Sequence, residues 1–203
     1  MSIIPQEVPT GAIRYNTDSN KMECFNGTKW MQVAVSSPDL GAGARGLIAS
    51  GRISSGNPSD VIDYVTISTA GNATDFGNVT QAAESLFNGE CASKVRMIKW
   101  GGYPGTHVNT IEYITFSSLG DGVDFGDMTH TVRGGGSLSN ATRGVAAGGL
   151  NPTHLNNIDY ITLASTGNSV DFGDLTEVKD NCTGAANPTI GLFMMGSPAD
   201  TLE

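Results

Sequence analysis

The sequence predicts an all-β protein made of three repeated, blade-like units behind a small separate meander. Three observations lead there. The block Ile62-Asp63-Tyr64-Val65-Thr66-Ile67 recurs as Ile111-Glu112-Tyr113-Ile114-Thr115-Phe116 and as Ile158-Asp159-Tyr160-Ile161-Thr162-Leu163, at offsets of 49 and 47 residues. Each copy then reaches an Asp-Phe-Gly, at Asp75-Phe76-Gly77, Asp124-Phe125-Gly126 and Asp171-Phe172-Gly173, with the same two offsets. The composition is 38% hydrophobic and 15% charged with 27 glycines, which suits many short strands joined by small-residue turns rather than a helical bundle. A fixed period of this length marks a repeat in which each copy is one supersecondary unit stacked on the next. It also disposes of a kinase reading of Asp-Phe-Gly, because three copies in register without a Gly-rich phosphate loop are structural punctuation.

Residues 1–36 lie outside the repeat. Pro9-Thr10-Gly11-Ala12-Ile13-Arg14-Tyr15-Asn16 alternates like a strand and breaks at Thr17-Asp18-Ser19-Asn20. Lys21-Met22-Glu23-Cys24-Phe25 reads as a second strand stopped by Asn26-Gly27, a strong hairpin signal, and Lys29-Trp30-Met31-Gln32-Val33 as a third. Three short strands are too few to be stable alone in water, so this segment should pack on the repeats, on copies of itself or on a larger partner. Residues 37–43, with Ser37-Pro38-Asp39 and Gly41-Ala42-Gly43, read as a linker.

The repeats then span about 44–93, 94–141 and 142–188, followed by a closing strand at 189–197. Each opens with an apolar run ending in small residues: Arg45-Gly46-Leu47-Ile48-Ala49-Ser50-Gly51, Arg96-Met97-Ile98-Lys99-Trp100-Gly101-Gly102 and Arg143-Gly144-Val145-Ala146-Ala147-Gly148-Gly149. Runs of this length bounded by Gly read as buried strands. A polar loop leads to the Tyr strand, where Ile158, Tyr160 and Thr162 alternate with Asp159, Ile161 and Leu163, so both faces are at least half covered. Gly beside Asn or Asp at Gly71-Asn72, Gly120-Asp121 and Gly167-Asn168 is tight-hairpin chemistry. The third strand carries one large anchor, its Phe, and the Gly after it signals a bulge. A weaker fourth segment completes about four antiparallel strands per unit, the signature of a propeller blade. The last run, Ile190-Gly191-Leu192-Phe193-Met194-Met195, opens a fourth unit; left uncovered it would be an aggregating edge, so another strand should meet it.

Double glycine after an apolar strand, a Tyr-bearing strand, a hairpin and an aromatic-bearing strand resemble the kelch repeat. Phe76, Phe125 and Phe172 stand where kelch repeats usually have Trp, and the first copy reads Ser50-Gly51. The resemblance covers roughly 42–203 and implies a β-propeller-type fold; a β-prism-like trimer is the alternative. In the N-terminal segment, Gly11, Ile13, Arg14, Tyr15, Asn16, Glu23, Phe25, Asn26, Gly27 and Trp30 form a pattern that looks like a module of tailed-phage tail fibres and related appendages. The Ile-Asp-Tyr-Ile-Thr and Asp-Phe-Gly-Asp-Leu-Thr repeats are similar to those of structural proteins of marine phages, including cyanophages. These two resemblances imply a virion structural protein of tail-fibre or capsid-decoration type, made in the host cytoplasm and located on the virion.

The totals and motifs limit the chemistry. A formal net charge of −9 repels phosphate backbones and argues against a nucleic-acid partner. No run approaches the about 18 apolar residues of a membrane span, and Met1-Ser2-Ile3-Ile4-Pro5-Gln6 shows no secretory signal. Cys24, Cys91 and Cys182 form no close pair and read as reduced, mostly buried thiols. His107 and His154 occupy corresponding loops without a carboxylate or Cys at ligand spacing, and the recurring aspartates read as turn caps rather than calcium ligands. No Gly-x-Ser-x-Gly elbow or phosphate loop appears. The expectation is therefore no enzyme, no cofactor and no metal.

Two functions remain in view. The first is a virion component attached through residues 1–36, with Ile13, Arg14, Tyr15, Phe25 and Trp30 at the interface, and displaying its loops outward for host-surface contact. The second is a glycan- or receptor-binding, lectin-like module using the loops, with Trp100, Tyr103, His107 and His154 as contacts. Partners expected are other tail or capsid proteins, a host glycan, and further copies of the chain, as a trimer first and a dimer second.

Overall fold

The computed structural model describes residues 8–33, 45–84, 91–194 and 196–197. They form fifteen strands and no helix. The expected linker at 37–43 lies outside the described residues. The chain divides into two compact units, Met1–Pro38 and Asp39–Glu203.

The first unit is an antiparallel meander of β1 (Ile13–Asn16), β2 (Lys21–Phe25) and β3 (Trp30–Gln32). Its turns are held by asparagines: the Asn16 side chain accepts the N–H groups of Asp18 and Ser19, and Asn26 accepts those of Thr28 and Lys29. These side chains mimic backbone acceptors, which is why Asn is favoured there.

The second unit holds β4 (Arg45–Arg52), β5 (Pro58–Thr66) and β6 (Thr74–Ala83) in one sheet, and β7 (Arg96–Gly102), β8 (Val108–Thr115) and β9 (Val123–Val132) in the next. A third sheet orders β10 (Gly136–Ser139), β11 (Arg143–Ala147), β12 (Asn157–Thr162) and β13 (Val170–Asp174), and β14 (Thr183–Ala186) pairs with β15 (Gly191–Met194). Two expectations change. Among the described residues only the third sheet has four strands; in the second, the segment preceding β7 makes a single bridge, Ala92 to Met97. The closing element is a two-stranded hairpin rather than a lone strand.

All three sheets share one irregularity. Asp63 pairs with Asp75 while Ile62 pairs with Gly77, so Phe76 is skipped; the register slips identically at Ile111/Glu112 and Ile158/Asp159. The glycines beyond the slip, Gly77, Gly126 and Gly173, have φ of 151°, 145° and 136°, values that L side chains rarely adopt. The bulge predicted from Asp-Phe-Gly is therefore present in every copy. It aims each Phe at the Tyr of its own sheet, with ring centroids 5.8, 6.2 and 5.9 Å apart for Tyr64–Phe76, Tyr113–Phe125 and Tyr160–Phe172, all edge-on.

The sheets pack face to face in chain order. Ala49, Ile62, Phe76 and Val79 of the first pack against Ile114 of the second; Ile98, Trp100, Ile111, Phe125 and Met128 of the second pack against Ala146, Ile161 and Leu163 of the third. Alternation along the second Tyr strand thus serves two interfaces, Ile111 facing the third sheet and Ile114 the first.

Candidate functional site

The contacts between successive units are the most regular feature of the repeat region. The hairpin turn of one unit lies across the Asp-Phe-Gly of the unit before it. Gly120 N–H donates to the Phe76 carbonyl (2.9 Å) and Gly122 N–H to that of Asn78 (2.7 Å). Gly167 and Ser169 repeat this on Phe125 (2.7 Å) and Asp127 (2.8 Å). The turn's Asx side chain closes the contact, Asp121 Oδ1 accepting Asn78 N–H at 2.9 Å and Asn168 Oδ1 accepting Asp127 N–H at 3.1 Å. A Cβ on Gly77 or Gly126 would stand 2.5 Å from the backbone of Gly120 or Gly167, so the third letter of Asp-Phe-Gly is fixed by this approach as well as by φ.

A buried acid completes each junction. Glu112 accepts the Thr80 N–H (3.2 Å) and the Thr80 hydroxyl, and Asp159 accepts the Thr129 N–H (2.9 Å) and hydroxyl (2.8 Å). Lys99 Nζ lies 3.6 Å from Glu112, both side chains buried, and burial lowers the Lys99 pKa against the pull of that carboxylate. On the opposite edge Arg45 donates to the Phe116 carbonyl (2.6 Å) and Arg96 to that of Leu163 (3.4 Å), each guanidinium lying over its own sheet's Tyr at 5.1 and 4.3 Å.

This pattern runs out at both ends. Phe76 and Phe125 are 4% and 3% exposed, whereas Phe172 is 55% exposed, because no hairpin turn of the described residues lies across it. The expectation that all three would be buried fails there for that reason. At the other end Ile67 is 67% exposed, while its counterparts Phe116 and Leu163 are 8% and 2%.

The N-terminal meander has two unlike faces. Register places Arg14, Glu23 and Gln32 side by side, with Phe25 beside Trp30. On that face Arg14 pairs with Glu23 (2.8 Å) and lies 4.1 Å over the Trp30 ring, whose centroid is 5.4 Å from that of Phe25. Hydrogen bonds from Asn16 and Arg14 hold the Glu23 carboxyl below its usual range. The other face is largely apolar: Ile13, Cys24 and Met31 align across the sheet, with Tyr15, whose hydroxyl donates to Asn20, beside Met22 and Val33 next along. Ile13, Tyr15, Met22, Met31 and Val33 are all exposed. Of the five residues singled out from sequence, then, Ile13 and Tyr15 belong to an open apolar face, while Arg14, Phe25 and Trp30 hold one another on the reverse. Sequence reading missed Met22, Met31 and Val33, although period-2 alternation through the three strands puts them there.

The four loop candidates separate in the same way. Trp100 is 1% exposed and sits in the core between the second and third sheets, so it offers no surface contact. Tyr103 and His107 do meet, edge-on at 5.2 Å, with the Arg133 guanidinium 4.6 Å over Tyr103. Burial and that cation lower the His107 pKa. Nearby, Tyr103 bridges to Glu84 through the backbone, and Arg52 is hydrogen-bonded to Glu84, holding its carboxyl below the usual range. His154, in the corresponding loop, faces a carboxylate instead, with Nε2 3.5 Å from Asp180 Oδ1.

Among the described residues no group of three or more His, Cys, Asp or Glu is placed to hold a metal ion, and no described helix is long and apolar enough to cross a membrane. Cys91, buried beside Trp100, has its thiol pushed up to about 12, so it stays protonated and packs as a small apolar group. No protein-family model matches the chain, and no curated protein matches it.

Proposed function

We propose that this chain is a non-enzymatic structural protein of a tailed-phage virion, a fibre knob or capsid-decorating appendage attached through its N-terminal meander. The observation that carries the reading is the apolar face of Ile13, Tyr15, Met22, Cys24, Met31 and Val33 on a sheet of only three strands. So small a sheet is marginal by itself, and a contiguous exposed apolar patch on a rigid module marks an interaction surface. A partner that covers this face would stabilise the meander and fix the chain in place. The resemblance of the same segment to phage appendage modules supplies the partner's class, other tail or capsid proteins.

The repeat region suits the display half of this role. A stack of kelch-like, propeller-type units holds its loops on rigid strands, where loop change leaves the scaffold intact. The acidic surface favours a solvent-facing position over one against packaged DNA. By likeness to fibre proteins the chain assembles in this reading as a homo-oligomer, a trimer first and a dimer second. The test is the protein content of gradient-purified particles of the phage that encodes the chain. Stoichiometric presence supports the reading, and absence from particles overturns it.

A second reading, a glycan- or receptor-binding module, rests on the Tyr103–His107 pair beside Arg133. An aromatic ring with polar neighbours suits sugar stacking, and saturable binding on a glycan array that is lost in Tyr103→Ala would favour it. Both roles are compatible within one appendage.

A further inference from the structure

We propose that Arg133 anchors the charged group, a carboxylate or sulfate, of an acidic saccharide at the edge where Tyr103 and His107 meet; the proposal rests on the glycan-binding reading of that pair. The residues come from corresponding places in successive units. Glu84, Arg133 and Asp180 follow one another at the 49- and 47-residue spacing of the Tyr strands. Each makes an isolated antiparallel bridge, to Tyr103, Leu150 and Ser197 in turn. One backbone position thus carries an acid, a base and an acid along the stack.

Both acids have a nitrogen base beside them. Arg52 donates to both carboxylate oxygens of Glu84, and His154 Nε2 lies 3.5 Å from Asp180 Oδ1. The base between them lacks the matching acid. Counting from the opening arginines Arg45 and Arg96, Tyr103 stands where the first unit has Arg52. The ion pair of the first unit is therefore replaced in the second by a stack, with the Arg133 guanidinium 4.6 Å over the Tyr103 ring. Among the described residues no carboxylate lies within ion-pair distance of Arg133. The Glu84 carboxyl feels the Arg133 charge, but Arg52 already holds both of its oxygens. Arg52 and Arg133 against Glu84 leave one positive charge over at this edge.

The chemistry of the occupant follows from that imbalance. A guanidinium lying over a ring keeps the donors of its edge, a fork that matches a carboxylate or sulfate and is held in place before the anion arrives. His107 meets Tyr103 edge-on at 5.2 Å and supports the ring from the side. Beyond Tyr103 the turn is open: Gly105 and Thr106 are exposed, and a Cβ on Gly105 would meet nothing within 4 Å. That leaves room for a sugar ring beside the aromatic pair. The net charge of −9 repels anions at long range, so an acidic sugar is held only where a cation such as Arg133 is locally in excess.

The test applies the full chain to an array of oligogalacturonates, sialylated lactosamines and sulfated lactosamines, each beside its neutral parent, and titrates the tightest binder by calorimetry. An acidic member should bind saturably, at least tenfold tighter than its neutral parent, and more weakly as salt rises. Retention of the carboxylated or of the sulfated members identifies the anion, and either supports the proposal. Arg133→Met should weaken binding at least tenfold, and Arg133→Lys less, because it keeps the charge and loses the fork. Glu84→Gln should tighten binding several-fold, since it removes a nearby negative charge and frees Arg52; a purely structural role for these residues predicts no gain. Unchanged thermal unfolding verifies that the variants fold. Neutral parents bound as tightly as acidic members, with Tyr103→Ala abolishing both, would overturn the anion assignment and leave the glycan reading standing. Binding of no array member would overturn both. Binding indifferent to Arg133→Met, or hexaglutamate bound as tightly as the acidic sugar, would also overturn the proposal; the latter would make an acidic protein segment the occupant.

Discussion

Glu112 of the second unit accepts two hydrogen bonds from Thr80 of the first, one from its backbone N–H and one from its hydroxyl. The same pair recurs one unit on as Asp159 with Thr129. The second letter of Ile-Asp-Tyr is thus a junction residue, reaching out of its own sheet to fix the register of its neighbour. In the second unit the acid also offsets the Lys99 charge, which sits where the other units carry Ile48 or Ala146.

Glu112→Ala should therefore destabilise the chain by about 3–5 kcal/mol, chiefly because it leaves the buried Lys99 ammonium unpaired, and also because the Thr80 N–H loses its acceptor. The double variant Glu112→Leu with Lys99→Met should recover much of that loss, since removing both charges removes the desolvation cost. Chemical denaturation checks both, and a loss below about 1 kcal/mol in the single variant would contradict the junction role.

Phe125→Ala and Phe172→Ala change the same letter of the same motif. The first should cost about 3–5 kcal/mol and the second about 1 kcal/mol or less, because only Phe125 lies under a following hairpin. Equal losses in urea unfolding would show that the third unit is covered in solution.

Acidification should weaken the fold through His107. Its pKa is lowered by burial and by the Arg133 charge, so the unfolded chain binds the proton more readily than the folded one. The contribution of neutral His107 is present above the ordinary His pKa and declines as pH falls through it. Comparing thermal unfolding at pH 7 and pH 5 in the parent and in His107→Gln checks this; the variant should lose less stability than the parent over that interval.

Much of the repeat was legible in the sequence for physical reasons. Period-2 alternation through Ile158–Leu163 gave the correct faces, with Asp159, Ile161 and Leu163 buried. The Gly after each Phe announced the bulge. The exposure of Phe172 was not legible, because burial of this Phe depends on a neighbour that the motif itself does not contain. Trp100 was counted among the loop contacts although it lies in the opening strand, where it belongs to the side facing the third sheet. In the meander, the likeness to phage appendage modules drew attention to Arg14 and Trp30; strand parity carries the better signal for the open face and leads to Met22 and Met31.

The attachment role is tested most directly by placing charge on the apolar face of the full chain and measuring incorporation into particles. Tyr15 and Met31 are exposed on that face, so Tyr15→Lys with Met31→Lys should leave the repeat region's unfolding unchanged. The account predicts that this double variant is lost from gradient-purified particles while a control on the reverse face, Gln32→Lys, is retained. Incorporation of the double variant at the parent level would contradict it.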